Sequence, residues 1–226
     1  KSAAAVVACV AGLSLPVWGS AVDAEVYCLT FVMLTLLWLV ALESNARPVL
    51  PALAFLAGLS LTNHMMAALA LAGIGLTLVL ERRSGLLPAV PRLLPLLLLG
   101  LSVYAVLPVR AGVGPLFPWG DPRTLESFVW HITGKQYQVW MFSTPVNEVL
   151  RNAARGAGIV GRSLLWVLVP AALWGMVRLW RSRWPLVVGL GVTVVLAFFY
   201  ATNYNIPDIE AYYLPAITAL AVPTAV

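Results

Sequence analysis

The sequence predicts an all-α, polytopic integral membrane protein. Three observations predict it. Hydrophobic residues make up 61% of the 226 positions and charged residues only 10%, against about 25% charged in soluble domains. The apolar residues fall into long runs rather than alternating patterns. The charges segregate to alternate ends of those runs. A core of this length cannot hide so much apolar surface from water, so lipid must serve as part of the solvent.

The apolar runs lie at residues 3–17, 26–42, 48–62, 65–80, 93–109, 160–178, 186–203 and 212–226. They divide the chain into about five spans over 1–109, a loop over 110–159, and about three spans over 160–226. Several runs are shorter than the ~20 residues a helix needs to cross the hydrocarbon. The stretch 48–80 is too long for one span and short for two. Asn63 and His64 interrupt it, and a polar pair is costly at the bilayer centre, so two short helices are expected there. Lys1, the first run and Gly19-Ser20-Ala21-Val22-Asp23-Ala24 also fit a secretory signal with a small-residue cleavage site; the many later runs favour a first span. Lys1 and Val226, the latter inside an apolar run, are the ends expected of a piece of a longer chain.

With Lys1 on the cytoplasmic side, the inner turns hold Arg47, Arg82, Arg83, Arg92, Arg178, Arg181 and Arg183. The outer ones hold Asp23, Glu25, Asp121, Glu126, Glu148, Asp208 and Glu210, seven of the nine acids. This is the positive-inside pattern. In a membrane protein the formal charge of +5 says little about nucleic acid, which is not an expected partner. The long loop carries bases of its own, and its length exempts it from the rule. Within it, Asp121, Pro122 and Gly134 suit the cap, first turn and end of a helix. Leu125, Phe128, Val129 and Ile132 form one apolar stripe. An amphipathic helix resting on the membrane or bundle surface is expected, with Trp119, Trp130, Tyr137 and Trp140 at the interface.

This sidedness gathers Asp23, Glu25, His64, Asp121, His131, Asp208 and Glu210, with Arg110 and Arg123, at one aqueous rim. An Arg fork binds phosphate, and a carboxylate can take a proton from an incoming hydroxyl. A lipid-linked phosphosugar presents its phosphate at this depth. Each residue also has a plainer reading. Glu25 can cap the helix that starts beside it, Asp121 can cap the loop helix, and His64 can be a structural group at a break. His131 lies off the stripe and is expected to be solvated or interfacial. Asn203, Asn205, Asp208 and Glu210 form a polar cluster that leads into Tyr212 and Tyr213. Cys9 and Cys28 sit in apolar runs and read as buried hydrophobes. There is no nucleotide-binding loop, dinucleotide glycine pattern or nucleophile elbow. No cofactor is expected, and no spacing supports a divalent cation.

Ala24-Glu25-Val26-Tyr27, Gly58 through His64, Leu107-Pro108-Val109-Arg110, Trp119-Gly120-Asp121-Pro122-Arg123-Thr124 through Gln136-Tyr137, Tyr204 through Asp208, and Tyr212-Tyr213-Leu214-Pro215 occur in this order. Together they resemble the bacterial branch of the protein O-mannosyltransferase-like membrane family, glycosyltransferase family 117 of the GT-C superfamily. The resemblance spans nearly the whole chain, and the Trp-Gly-Asp-Pro-Arg-Thr block is its most specific part. It implies a GT-C-like helical bundle in a bacterial inner membrane. It also implies a polyprenyl-phosphate sugar donor, a protein or peptide acceptor, and inverting transfer on the extracytoplasmic face. By the same resemblance Glu25, His64, Arg110, Asp121 and Asp208 would line the site. The residue chemistry makes Glu25, His64 and Asp121 the expected catalytic groups, and Arg110, Arg123, Trp119, His131, Tyr137, Asp208 and Tyr212 the expected substrate-binding ones. One departure stands: such enzymes carry a catalytic acid in the first outer loop, and this chain aligns about two spans later. The general base is therefore expected elsewhere, and this stretch alone is expected to be inactive. A transporter or flippase is the competing expectation, and it would need polar groups deep within broken helices. A noncatalytic assembly or lipid-binding subunit would leave the acids scattered.

Overall fold

The computed structural model describes residues 2–23, 25–43, 49–81, 86–117 and 119–224. The basic residues Lys1, Arg47, Arg82 and Arg83, on which part of the expected sidedness rests, lie outside them. Among the described residues the chain is helical, with no strand: α1 (Ser2–Gly12), α2 (Leu15–Val22), α3 (Tyr27–Leu42), α4 (Val49–Asn63), α5 (Ala67–Glu81), α6 (Leu86–Leu101), α7 (Val106–Gly112), α8 (Leu125–Ile132), α9 (Val146–Ser163), α10 (Leu168–Thr202) and α11 (Leu214–Thr224). The protein is an all-α membrane protein. Two helical stretches, Pro88–Gly112 and Leu168–Thr202, are long and apolar enough to cross a bilayer. The pair α1 and α2, bent by 54° at Ser14, would make a third if it forms one span. The bend has a local cause: Pro16 opens α2 and lacks the N–H that a continuous helix would use. Helices α3, α4 and α5 have 16, 15 and 15 residues, which at ~1.5 Å per residue is short of a ~30 Å core.

Helix α10 is the longest element, with 35 residues. Left straight it would run about 52 Å. Arg183 breaks it, with φ −143° and ψ 53° ahead of Pro185. Two buried clusters show that the chain turns back there. Leu168 and Val169 pack in a cluster with Leu34, Met66, Ala70, Ala197, Ala201, Tyr213 and Ile217. Met176, Leu179, Leu186 and Leu190 pack in a second, with Leu37, Trp38, Ile74, Leu78 and Ala219. The helix thus leaves the first cluster, reaches the second near Arg183 and returns. At the break, Arg183 donates to the Leu42 carbonyl at 3.2 Å and to Glu81 Oε1 at 3.1 Å, pinning the ends of α3 and α5. The expected pair of apolar runs, 160–178 and 186–203, corresponds to these two limbs, but the first begins at Leu168. Residues 160–163 belong instead to α9.

The second limb packs closely on α5 where side chains are absent. Gly73 of α5 faces the Gly189 carbonyl and Thr193 of α10, and Gly189 in turn faces Thr77 and the Gly73 carbonyl. A second contact of this kind joins Gly58 of α4 to Gly100 of α6. Small residues let helix backbones approach where lipid supplies no hydrophobic drive for association. The approach of α5 to α10 sets the distance between the α4–α5 break and the turn beyond Thr202, and these two segments carry the candidate site.

Candidate functional site

The break between α4 and α5 falls at His64, and it lies at one end of the bundle. Asn63 secures it by donating to Thr30 Oγ1 at 2.7 Å and to the Val26 carbonyl at 3.3 Å, which ties α4 to the start of α3. The His64 ring then meets Tyr27, with centroids 5.3 Å apart, and Tyr212, at 5.6 Å and a steep 79°. Tyr27 and Tyr212 are 5.8 Å apart by ring centroid, and their hydroxyls are 3.5 Å apart. Tyr200, from the end of α10, stacks on Tyr212 at 11°, and Tyr204 meets Tyr212 edge-on at 5.2 Å. Offset and edge-to-face pairs of this kind add about 0.5–1.5 kcal/mol each beyond burial. Four rings and an imidazole from α3, the α4–α5 break, the end of α10, the segment just after it and the 209–213 turn therefore form one wall.

His64 accepts a hydrogen bond at Nδ1 from the Met66 backbone N–H at 3.1 Å. A nitrogen that accepts carries no proton, so the neutral ring has its proton on Nε2. Burial holds the imidazole at about 4, below the usual 6.5, because the charged form loses water it cannot replace. At neutral pH His64 is thus a fixed hydrogen-bond donor through Nε2. Burial also pushes the Tyr212 hydroxyl above the ordinary phenol value, so this group too keeps its proton. Glu25 and Asp208 are exposed, and both carboxylates lie within electrostatic range of the Tyr27 hydroxyl. Glu25 makes no capping bond to α3, whose first turn has no side-chain cap.

The loop between α7 and α9 closes over the same end. Its last part is sewn to the segment after α10. The Phe142 N–H donates to the Asn203 carbonyl at 2.8 Å, and the Asn205 N–H donates to the Trp140 carbonyl at 3.1 Å. Gly134, with φ 61°, ends α8 in the left-handed conformation, as its residue type suggests, and lies against Met65. The helix start differs from the expectation. Thr124 is the cap, with Ser127 completing a reciprocal box. Asp121 instead takes φ 38° and holds Arg123 through two bonds of 2.7 Å. The Arg123 guanidinium keeps the Asp121 carboxyl below the usual carboxylate value. His131, expected to be solvated or interfacial, is half-buried. It tucks against Gly120, where a Cβ would collide with Nδ1, and among the described residues that buried nitrogen has no hydrogen-bond partner. Of the apolar stripe, Phe128 packs edge-on against Tyr104 at 6.3 Å, while Leu125 stays exposed.

The sequence-predicted residues therefore fall into two groups. Glu25, His64, Asp208 and Tyr212 converge around Tyr27. Asp121, Arg123, Trp119 and His131 share the loop turn, and no hydrogen bond or ring contact among the described residues joins them to the first group. Tyr137 lies between, beside Trp140 at 6.0 Å and within electrostatic range of Tyr204. Arg110 is exposed at the end of α7, with no ion pair among the described residues. Sequence reasoning passed over Tyr27, Tyr200 and Tyr204 as site residues. The spacing Tyr200…Tyr204 ahead of Tyr212-Tyr213 was the available signal. Among the described residues no group of three or more His, Cys, Asp or Glu could hold a metal ion.

Residues 1–86 match the family model described as the protein O-mannosyl-transferase TMEM260 N-terminal domain. That stretch is thus similar to a protein O-mannosyltransferase family, and it contains Glu25, Tyr27 and His64. No curated protein and no solved structure matches the chain.

Proposed function

We propose that this chain is part of a membrane glycosyltransferase of the protein O-mannosyltransferase type. It would move a sugar, mannose in the first instance, from a polyprenyl-phosphate donor to a Ser or Thr hydroxyl on the extracytoplasmic face of a bacterial inner membrane. The observation that carries this reading is the convergence of His64, Tyr27 and Tyr212 with the Glu25 and Asp208 carboxylates at one end of the bundle, in a chain whose first 86 residues match a family of that activity. In the transfer, the acceptor oxygen bonds to the anomeric carbon and the bond from that carbon to the phosphate oxygen breaks. The phosphate leaves with the bonding pair, and the hydroxyl proton passes to a carboxylate. Neutral His64 and Tyr212 suit the task of donating to sugar or phosphate oxygens. Glu25 and Asp208 suit the acceptor side. Arg110, exposed at the end of α7, is the arginine left to meet the phosphate, because Arg123 is held by Asp121. A transporter would keep its break at mid-depth, whereas His64 shares its end of the bundle with the first turn of α3 and the turn after α10.

The test is a transfer assay with the complete protein in membranes, using polyprenyl-phosphate mannose and a Ser/Thr-rich peptide. Mannosyl-peptide is the expected product. No turnover with this donor or any other lipid-phosphate sugar would remove the reading.

A further inference from the structure

A second polar recess lies behind Tyr204, away from the His64 wall. It is a cleft of about 70 Å3, room for several waters at roughly 10–15 Å3 each. Its walls are α9 and the segment from the end of α10 through the 209–213 turn, and its polar lining is Asn152, Arg155, Asn205 and Tyr213. Helix α9 is built to form it. Asn152, Gly156, Ile159, Val160 and Ser163 share one helical face toward the bundle, at spacings of three and four. Asn152 donates to the Thr202 carbonyl at 3.4 Å. Gly156 leaves room for the Tyr213 ring, which a Cβ there would strike. Arg155 sits on the edge of this face. Its neighbour Arg151 is paired with Glu148 at 3.4 Å. Arg155 has no carboxylate within salt-bridge distance among the described residues. Its guanidinium acts electrostatically on the Tyr213 hydroxyl. Glu210 lines an adjoining recess, beside Arg162, so the charge of the first cleft is that of Arg155.

A guanidinium and two carboxamides offer several N–H donors to one small volume, while the Tyr213 hydroxyl is taken up by the Asn152 backbone carbonyl at 3.5 Å, and among the described residues no carboxylate lines the cleft. That is the chemistry of phosphate recognition. We infer that the α9–Tyr213 cleft is an oxyanion site that takes a phosphate group, held by the Arg155 fork and the Asn152 and Asn205 amides. The site is separate from the transfer reading, since it needs no turnover to be observed. Its phosphate can come from a lipid headgroup or from free phosphate, and α9 lies in the loop region where both could reach it.

The experiment is calorimetric titration of the full chain in neutral detergent with inorganic phosphate, dihexanoyl phosphatidic acid and dihexanoyl phosphatidylcholine. Phosphate or phosphatidic acid should bind, with affinity reduced tenfold or more in Arg155→Met and about threefold in Asn205→Ala. Arg151→Met should stay within twofold of the parent. Phosphatidic acid bound at least tenfold more tightly than inorganic phosphate identifies the lipid source, and equal affinity identifies free phosphate. Should the methionine variant unfold, Arg155→Lys, which keeps the charge but loses the fork, still reads the site through a severalfold loss. Equal affinity in parent and Arg155 variants, an equal loss in Arg151→Met, binding of phosphatidylcholine as tight as phosphatidic acid, or no binding of either anion overturns the proposal. Binding here with no sugar transfer would remove only the transferase reading.

Discussion

Gly73→Leu should prevent the bundle from assembling, whereas Gly75→Leu, two residues along the same helix, should be tolerated. A side chain at position 73 meets the Gly189 carbonyl and Thr193 of α10, and backbone cannot move aside as a flexible side chain can. Overpacking typically costs about 1–3 kcal/mol and occasionally more. Here the only relief is to separate α5 from α10, which opens both buried clusters at once. Among the described residues a Cβ at Gly75 meets nothing within 4 Å, and replacing a helical glycine recovers about 1 kcal/mol of helix propensity. The two variants should therefore move in opposite directions in thermal unfolding monitored by circular dichroism in detergent. Loss of the monodisperse species is expected for Gly73→Leu alone. Equal behaviour of the pair would mean that the helices do not touch there. The consequence reaches the site, because His64 precedes α5 while Tyr200, Tyr204 and Tyr212 lie at or beyond the end of the second limb of α10.

His64→Ala should lower sugar transfer by roughly 10²–10³-fold, the loss expected on removal of a preorganised donor to developing charge. Most of the loss should fall in kcat, with KM changed little, as expected for an interaction made chiefly in the transition state. The pH behaviour separates this role from general-base catalysis. With its pKa near 4, His64 is neutral on both sides of pH 6.5, so transfer should show no ionisation step near 6.5 that disappears in His64→Ala. Stability should carry the opposite signature. As pH falls from 6.5 toward 4, the unfolded chain gains a proton that native His64 refuses, so the folded form loses ground. Above 6.5 both forms are neutral and the contribution is flat. This acid-side slope should be shallower in His64→Ala than in the parent, measured by unfolding at a series of pH values. Transfer within threefold of the parent in His64→Ala would show that the imidazole is not part of the reaction.

The helical membrane class was legible in composition and run length, because apolar burial in lipid leaves no other reading of so few charges. The interruption at Asn63-His64 was legible too, since a polar pair within an apolar stretch has to find partners, and Asn63 finds them on Thr30 and Val26. The ring wall was not. Tyr27 and Tyr212 are 185 positions apart, and nothing local in either segment announces the other. Asp121 misleads because it is as good a cap as Thr124 by residue type. The choice turns on the Thr124–Ser127 pair and on Arg123, which holds the aspartate outside the helix. Helix α9 is hard to see in the sequence because its buried stripe is diluted by Gly156 and Gly161, residues present for close packing against Tyr213 and Trp166.

Sidedness is what places Glu25, Asp208 and the ring wall where a lipid-borne sugar and a protein hydroxyl could meet, and impermeant thiol labelling of intact cells tests it most directly. With Cys9 and Cys28 replaced by serine, single cysteines at Asp121, Asp208 and Arg181 would each be probed before and after permeabilisation. Arg181 lies near the Arg183 break, at the far end of the bundle from Tyr212. Labelling of 121 and 208 in intact cells, with 181 reacting only after permeabilisation, is the predicted result. Labelling of 181 from outside while 121 and 208 stay silent would contradict an extracytoplasmic site.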